Sequence, residues 1–183
     1  MKTHFQKPFD RSYWVVPDNL LAGAYPGSKD GQEAQEKVSR LVNCGIRRII
    51  NLMEEHETNY GNERFVPYEE LINAVSERFG VTVKVTRHPI RDLHVPSARK
   101  MIQILDSIDQ SLAEGLPVYV HCWGGVGRTG TVVGCYLIRH GLATQTDVLD
   151  GIDFLRREEF TAHRLSPETG EQRRMVQNWK LAQ

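Results

Sequence analysis

Apolar and polar positions along the chain change period several times, and each change marks an element. Tyr13-Trp14-Val15-Val16 and Leu20-Leu21-Ala22 flank Pro17-Asp18-Asn19, which predicts two short strands around a turn, an edge hairpin, before the Gly- and Pro-containing stretch 23–31. From Gln32 the apolar residues Ala34, Val38, Leu41 and Val42 recur at helical spacing, with a stop at Gly45. Residues 48–53 read as a strand, 54–64 as a polar loop, 67–79 as a helix ended by Gly80, and 81–87 as an alternating strand. Ser97 suits the N-cap of a helix through Met101, Ile104, Leu105, Ile108 and Leu112, stopped at Gly115 and Pro117. Val118-Tyr119-Val120 is short and apolar, as a buried strand should be, and delivers His121 and Cys122 to a sheet edge, with a helix from about residue 129 to 140 behind it. Helices over roughly residues 145–157 and 167–181 complete the chain. The alternation predicts an α/β fold with a central, mainly parallel, five-stranded sheet covered by helices on both faces, and no internal repeat interrupts it.

Composition narrows this picture. With 183 residues and 40% hydrophobic content, one domain over residues 1–183 is expected, with residues 1–12 as a flexible N-terminal segment. Basic and acidic residues balance at 23 each, so no overall field draws the protein to nucleic acid or to an anionic membrane, and any preference for anions must be local. The N-terminal residues carry no apolar run of signal-peptide length, and no stretch of about 18 apolar residues occurs, so a soluble, monomeric, cytoplasmic protein is the expectation. Cys44, Cys122 and Cys135 are odd in number and lack C-x-x-C spacing, which argues against a disulfide framework and a structural zinc site. Reduced thiols, no metal and no cofactor are expected.

The candidate chemistry lies in His121-Cys122-Trp123-Gly124-Gly125-Val126-Gly127-Arg128-Thr129. A thiol that attacks phosphorus must be ionised, and a free cysteine near pKa ~8.5 is mostly protonated at neutral pH. The strand, Gly-rich loop and helix order answers that need: a helix N-terminus carries partial positive charge and unpaired N–H groups, and Arg128 adds a full charge. The glycines let the backbone from Trp123 to Arg128 curl into a nest for phosphate oxygens. Arg128 can hold two of those oxygens with its planar fork, which lysine could not. Thr129 places a hydroxyl near the nucleophile. A cysteine six residues before an arginine arises easily by chance; the glycines, the following threonine, and the strand and helix on either side make it informative. His121 is expected to hydrogen-bond backbone beneath the loop rather than to tune the thiolate.

A leaving group needs a proton, and Asp92, in His88-Pro89-Ile90-Arg91-Asp92-Leu93-His94-Val95-Pro96, is the best candidate to supply it. On the residues alone, a surface aspartate capping a turn is the commoner fate. The segment from His121 to Thr129 resembles the signature of the cysteine-dependent protein tyrosine phosphatases, and of their dual-specificity branch in particular. That resemblance implies the phosphatase fold and a phosphocysteine intermediate. It also implies an Asp on a mobile loop some thirty residues before the cysteine, a position matched by Asp92 with Pro96, which acts first as acid and then as base. Ser166-Pro167 and Gln172 resemble, more loosely, a helix start and a polar residue near the pocket. The opening strands, Asn19 to Gly23 and Gly45 to Met53, extend the likeness to nearly the whole chain.

Expected substrates are a phosphorylated protein or a small phosphomonoester. The bulky Trp123 and the lack of lysine inside the loop depart from relatives that act on highly charged inositol lipids, although Arg87, His88, Arg91 and His94 set positive or protonatable groups around the Asp92 loop. Glu55, His56, Tyr60 and Arg64 belong to a polar loop that could line the cleft. Cys44 and Cys135 read as buried structural cysteines, which weakens arsenate reduction; sulfur transfer would leave Asp92 without a role, and a non-catalytic phosphate-binding adaptor would not need the nucleophile.

Overall fold

In the computed structural model, which describes residues 7–180 and 182–183, five strands and six helices alternate. The strands are β1 (Ser12–Val16), β2 (Leu20–Gly23), β3 (Arg48–Asn51), β4 (Lys84–Arg87) and β5 (Val118–His121). They form one sheet in the order β1-β2-β5-β3-β4, parallel throughout except where β1 runs antiparallel to β2. The hairpin expected at the edge is present: β1 is the edge strand, antiparallel to β2, which pairs on its other side with β5. All four β2 residues are buried, as expected of an unbroken apolar run in a strand covered on both faces.

The helices are α1 (Gly31–Asn43), α2 (Glu69–Arg78), α3 (Ala98–Ala113), α4 (Gly127–Arg139), α5 (Val148–Arg156) and α6 (Gly170–Gln177). Asp30 caps α1 by accepting from the N–H groups of Gln32 and Glu33, and Ser97 caps α3 by accepting from Lys100. The last two helices are shorter than their apolar spacing suggested. Asp147 accepts from the Thr144 N–H at 2.7 Å and makes residues 144–147 a turn, while Thr169 and Gln172 form a reciprocal capping box that starts α6 at Gly170. Alternate residues of the central strands feed two cores. Leu21, Ile49 and Tyr119 meet α1 and α2 on one face; Ala22, Ile50, Val118 and Val120 meet α3 to α6 on the other. No helix among the described residues is long and apolar enough to cross a membrane. The expected flexibility of residues 1–6 falls outside the described residues; from Lys7 onward the chain is anchored, with Phe9 packed edge-on against Tyr119 and Ser12 Oγ donating to Phe9 O at 2.7 Å.

Two buried polar groups fix what surrounds the C-terminal end of β5. Arg156, fully buried, donates to Glu159 Oε2 (3.1 Å), Arg164 O (3.0 Å) and Thr161 O (2.9 Å), so one guanidinium shapes the turn that follows α5. That turn carries Ser166, whose hydroxyl donates to Val126 O at 2.7 Å. His121, equally buried, donates from Nδ1 to Cys122 O (3.1 Å), the backbone contact expected of it, and Nε2 accepts from Tyr68 Oη (2.6 Å). Burial lowers its pKa to about 3, with the charges of Arg87 and Arg128 acting in the same direction.

Both groups yield measurable consequences. Arg156→Ala should cost about 3–5 kcal/mol in urea unfolding, because Glu159 would be left buried and unpaired. For His121 the folded pKa lies below the unfolded value of ~6.5, so the unfolded chain binds the extra proton in between. Stability should be fully present above that pH and fall as pH drops toward 3, by at most about 1.4 kcal/mol per pH unit from this group, and His121→Asn should remove that share of the slope.

Candidate active site

Cys122 follows β5 directly and Arg128 is the second residue of α4, so the segment between them is the turn at the carboxyl end of the central strand. Ligands of parallel α/β sheets gather at such ends. The turn is shaped from outside. Its carbonyls are held by donors elsewhere in the chain: Trp123 O accepts from the Tyr25 N–H (3.1 Å), Gly124 O from Arg11 Nη2 (3.0 Å), and Val126 O from Ser166 Oγ. With the carbonyls turned outward, the backbone N–H groups from Trp123 to Arg128 have no acceptor among the described residues. A row of unpaired N–H groups at a helix N-terminus is an anion nest. Of the three glycines, only Gly125 takes the left-handed conformation, with φ 74°, and a Cβ there would also lie 2.6 Å from Gly23 C.

Cys122 is 2% exposed, and its Sγ lies 3.1 Å from Thr129 Oγ1. The single hydroxyl proton of Thr129 is in reach of that sulfur and of Gly23 O at 3.3 Å. Thr129 thus sits where it can donate to a thiolate.

Arg128 is 1% exposed and forms the floor of the site. Its end-on fork is occupied by Glu57, with Nη1 to Oε2 at 2.6 Å and Nη2 to Oε1 at 2.7 Å. Nη1 also donates to Ile90 O at 3.0 Å, and Nη2 is paired with Asp92 Oδ1 at 3.0 Å. Only Nε is left, buried and without a partner. Burial opposes the charge of Arg128, but its hydrogen bonds to Glu57 and the charges of Cys122, Glu57 and Asp92 outweigh it and raise its pKa. The guanidinium stays cationic.

Asp92 belongs to the loop between β4 and α3, with its side chain 38% exposed and against Arg128. The loop is tied at several points. His94 Nδ1 donates to Asp92 O (2.7 Å), Gln172 Nε2 to His94 O (3.2 Å), and Thr169 Oγ1 to Leu93 O (3.4 Å), while Leu93 itself has φ 63°. Gln172 is wholly buried; its Oε1 accepts from the Glu168 and Thr169 N–H groups, and its amide lies where a Cβ on Gly127 would meet it at 3.0 Å. It therefore bridges the Asp92 loop to the start of α6 at the base of the anion loop. Of the four residues expected to give that loop edge a positive character, Arg87 is drawn into other bonds, to Glu69 Oε1 (3.1 Å) and Met53 O (3.1 Å).

Sequence reasoning missed Glu57. It sits within the polar loop already singled out, next to Glu55 and His56, but nothing local separates it from Glu54 or Glu55. Tyr60 of the same loop has its ring 4.7 Å from that of Trp123, and Phe65 follows at 5.4 Å.

The described geometry has relatives. A family model for the "PTP-SAK: Swiss Army Knife protein, DSP-PTPase phosphatase domain" matches residues 10–174. The chain is 34% identical over 135 residues to a phosphatidylinositol 3,4,5-trisphosphate 3-phosphatase of Dictyostelium discoideum, covering 70% of this chain and 18% of that protein. It is 31% identical over 142 residues to the phosphatidylglycerophosphate phosphatase PTPMT2 of Arabidopsis thaliana, covering 77% and 54%. The chain thus spans about half or less of the length of these two relatives. Among solved structures, PTPMT1 in complex with PI(5)P superposes with a TM-score of 0.68 at 20% identity, over 92% of this chain and 93% of that one. The core catalytic domain of the S. cerevisiae PP-IP phosphatase SIW14 gives 0.64 at 18%, over 96% and 88%. These two likenesses speak to the fold; the family match speaks to descent. The chain belongs to the cysteine-dependent dual-specificity and tyrosine phosphatase family.

Proposed function

We propose that the chain hydrolyses phosphomonoesters through a phosphocysteine formed on Cys122. The observation that carries this reading is the row of unpaired N–H groups from Trp123 to Arg128 around a buried cysteine, closed below by a guanidinium with one buried donor to spare. Three phosphoryl oxygens would take the N–H groups, and the side-on fork of Arg128, Nε with Nη2, would take two of them. Nη2 is where Asp92 now rests. A bound phosphate oxygen would displace that carboxylate from the guanidinium and leave it above the ester oxygen, where, no longer held by the cation, it takes up a proton from solvent and can then donate it.

In the first step the Cys122 thiolate forms the S–P bond as the P–O bond to the leaving group breaks, and Asp92, entering protonated, passes its proton to the departing oxygen. In the second, the Asp92 carboxylate takes a proton from water, the new P–O bond forms, the S–P bond breaks, and Thr129 stabilises the thiolate that is released. Glu57 holds the plane of Arg128 throughout, so its role is positioning. The thiolate step calls for a reducing compartment, and Cys44, Cys122 and Cys135 are all free.

Cys122→Ser should abolish hydrolysis of a small aryl phosphate while inorganic phosphate still binds; a wild-type protein inactive on every phosphomonoester would contradict the reading. Asp92→Asn should slow turnover strongly for esters with poor leaving groups and weakly for activated ones, so the dependence of kcat on leaving-group pKa should steepen. An equal loss across the series would remove Asp92 from the role of acid. Glu57→Ala should lower kcat/KM by about 10²-fold through misplacement of Arg128, with the far-ultraviolet circular dichroism unchanged.

A further inference from the structure

Beside the anion loop lies a second cleft of about 350 Å³ that the chemistry above does not use. Trp123, the residue after the nucleophile, forms part of its wall together with Tyr25 and Phe65. Arg11, Lys29, Lys37 and Arg64 also line it, and no carboxylate does. Partial compensation comes from outside the lining, where Lys29 pairs with Glu63, and Lys37 with Glu33 at 2.6 Å. Arg11 and Arg64 have no acidic partner among the described residues; the side chain of Arg64 is exposed with no hydrogen bond, and Arg11 Nε is buried with none. An adjoining hollow shares Arg11, Tyr25 and Lys37 but also holds Asp10, Glu33 and Glu36, so its charge is balanced and the excess belongs to the 350 Å³ cleft.

With Lys29 and Lys37 paired to glutamates, the uncompensated charge of the cleft is that of Arg11 and Arg64, two guanidinium groups that an anion would join. Guanidinium groups favour phosphate through paired N–H donors, and aromatic walls give the carbon frame of a ligand apolar surface. The cleft is also connected to the catalytic loop by direct bonds. Arg11 Nη2 donates to Gly124 O, and Trp123 borders both sites.

We infer that this cleft binds a second phosphate of the substrate whose first phosphate occupies the Cys122 loop, so that the preferred substrate is a compact molecule bearing at least two phosphates. The inference rests on the phosphatase reading for its first phosphate, but the cleft is a binding site in its own right. A single phosphorylated side chain of a protein would leave Arg64 unused. A small polyphosphorylated ring, free in solution or as the headgroup of a lipid, would engage it.

The test is steady-state kinetics of the wild type and of Arg64→Glu and Lys29→Glu on four substrates. These are an aryl monophosphate, a soluble inositol bisphosphate, the corresponding phosphoinositide in phosphatidylcholine vesicles, and a doubly phosphorylated peptide. Either charge reversal should lower kcat/KM about tenfold or more on the inositol compounds, the value of a lost charge-assisted hydrogen bond, and leave the aryl monophosphate unchanged. A loss seen with the soluble compound and the vesicle alike points to the phosphates alone; a loss confined to vesicles points to the lipid headgroup. Equal losses on all substrates, or a wild-type preference for the peptide, would overturn the inference. Calorimetric titration of the Cys122→Ser protein with inositol hexakisphosphate keeps the two readings apart. Binding that weakens in Arg64→Glu supports the cleft even if no hydrolysis occurs, and binding indifferent to Arg64 refutes it even if hydrolysis does.

Discussion

A buried guanidinium with five N–H donors must have them met, and in this protein the accounting at Arg128 organises the site. Four of the five donors are met from two separate stretches of chain: two by Glu57, and one each by the Ile90 carbonyl and Asp92 of the loop after β4. The last donor, Nε, is held in reserve. A cation this deeply buried is costly unless it is paired, and pairing it with Glu57 alone would leave little attraction for a phosphate dianion. The arrangement meets both demands by placing Glu57 on one fork and keeping the other fork for a ligand. Asp92 occupies part of that second fork, and in the proposed mechanism a phosphate that took its place would couple its own arrival to release of the acid.

The same logic of donors and acceptors shapes the anion loop. Its N–H groups can face inward only because its carbonyls are satisfied from behind, by the Tyr25 backbone, Arg11 and Ser166. Ser166 depends in turn on the Arg156 network, and Arg11 on the segment leading into β1. The anion loop is therefore supported by residues from both ends of the chain, and the parallel pairing of β2 and β3 with β5 fixes the strand from which it springs.

Much of this was legible in the sequence where the physics is local. Cys122, the glycines, Arg128 and Thr129 are contiguous, and the strand before them and the helix after them follow from short-range pattern. The five-stranded, mainly parallel sheet followed from alternation alone. Asp92 was singled out by its loop between a strand and a helix, but only family likeness raised it above a surface aspartate capping a turn, because an aspartate on a loop carries no signature of what it faces. Glu57 was not reached at all, since it meets Arg128 across 71 residues and its two glutamate neighbours look the same. The start of α6 was written in the sequence as Thr169 and Gln172 at capping-box spacing, a signal weaker to the eye than the apolar periodicity that overextended the helix. Trp123 and the absence of lysine from the anion loop set the sequence apart from relatives that act on highly charged inositol lipids; the cluster of Arg11, Lys29, Lys37 and Arg64 was not visible there, because only the tertiary fold gathers these side chains from separate segments.

The central claim is that Cys122 carries the phosphoryl group between substrate and water, and the most direct measurement looks for that group. The wild-type protein would be mixed with excess aryl phosphate, denatured within milliseconds, digested, and the Cys122 peptide examined by mass spectrometry. A peptide heavier by one phosphoryl group, with the modification on the Cys122 sulfur, is the predicted result. Continuous hydrolysis with Cys122 unmodified, or with phosphate on another side chain, would contradict it.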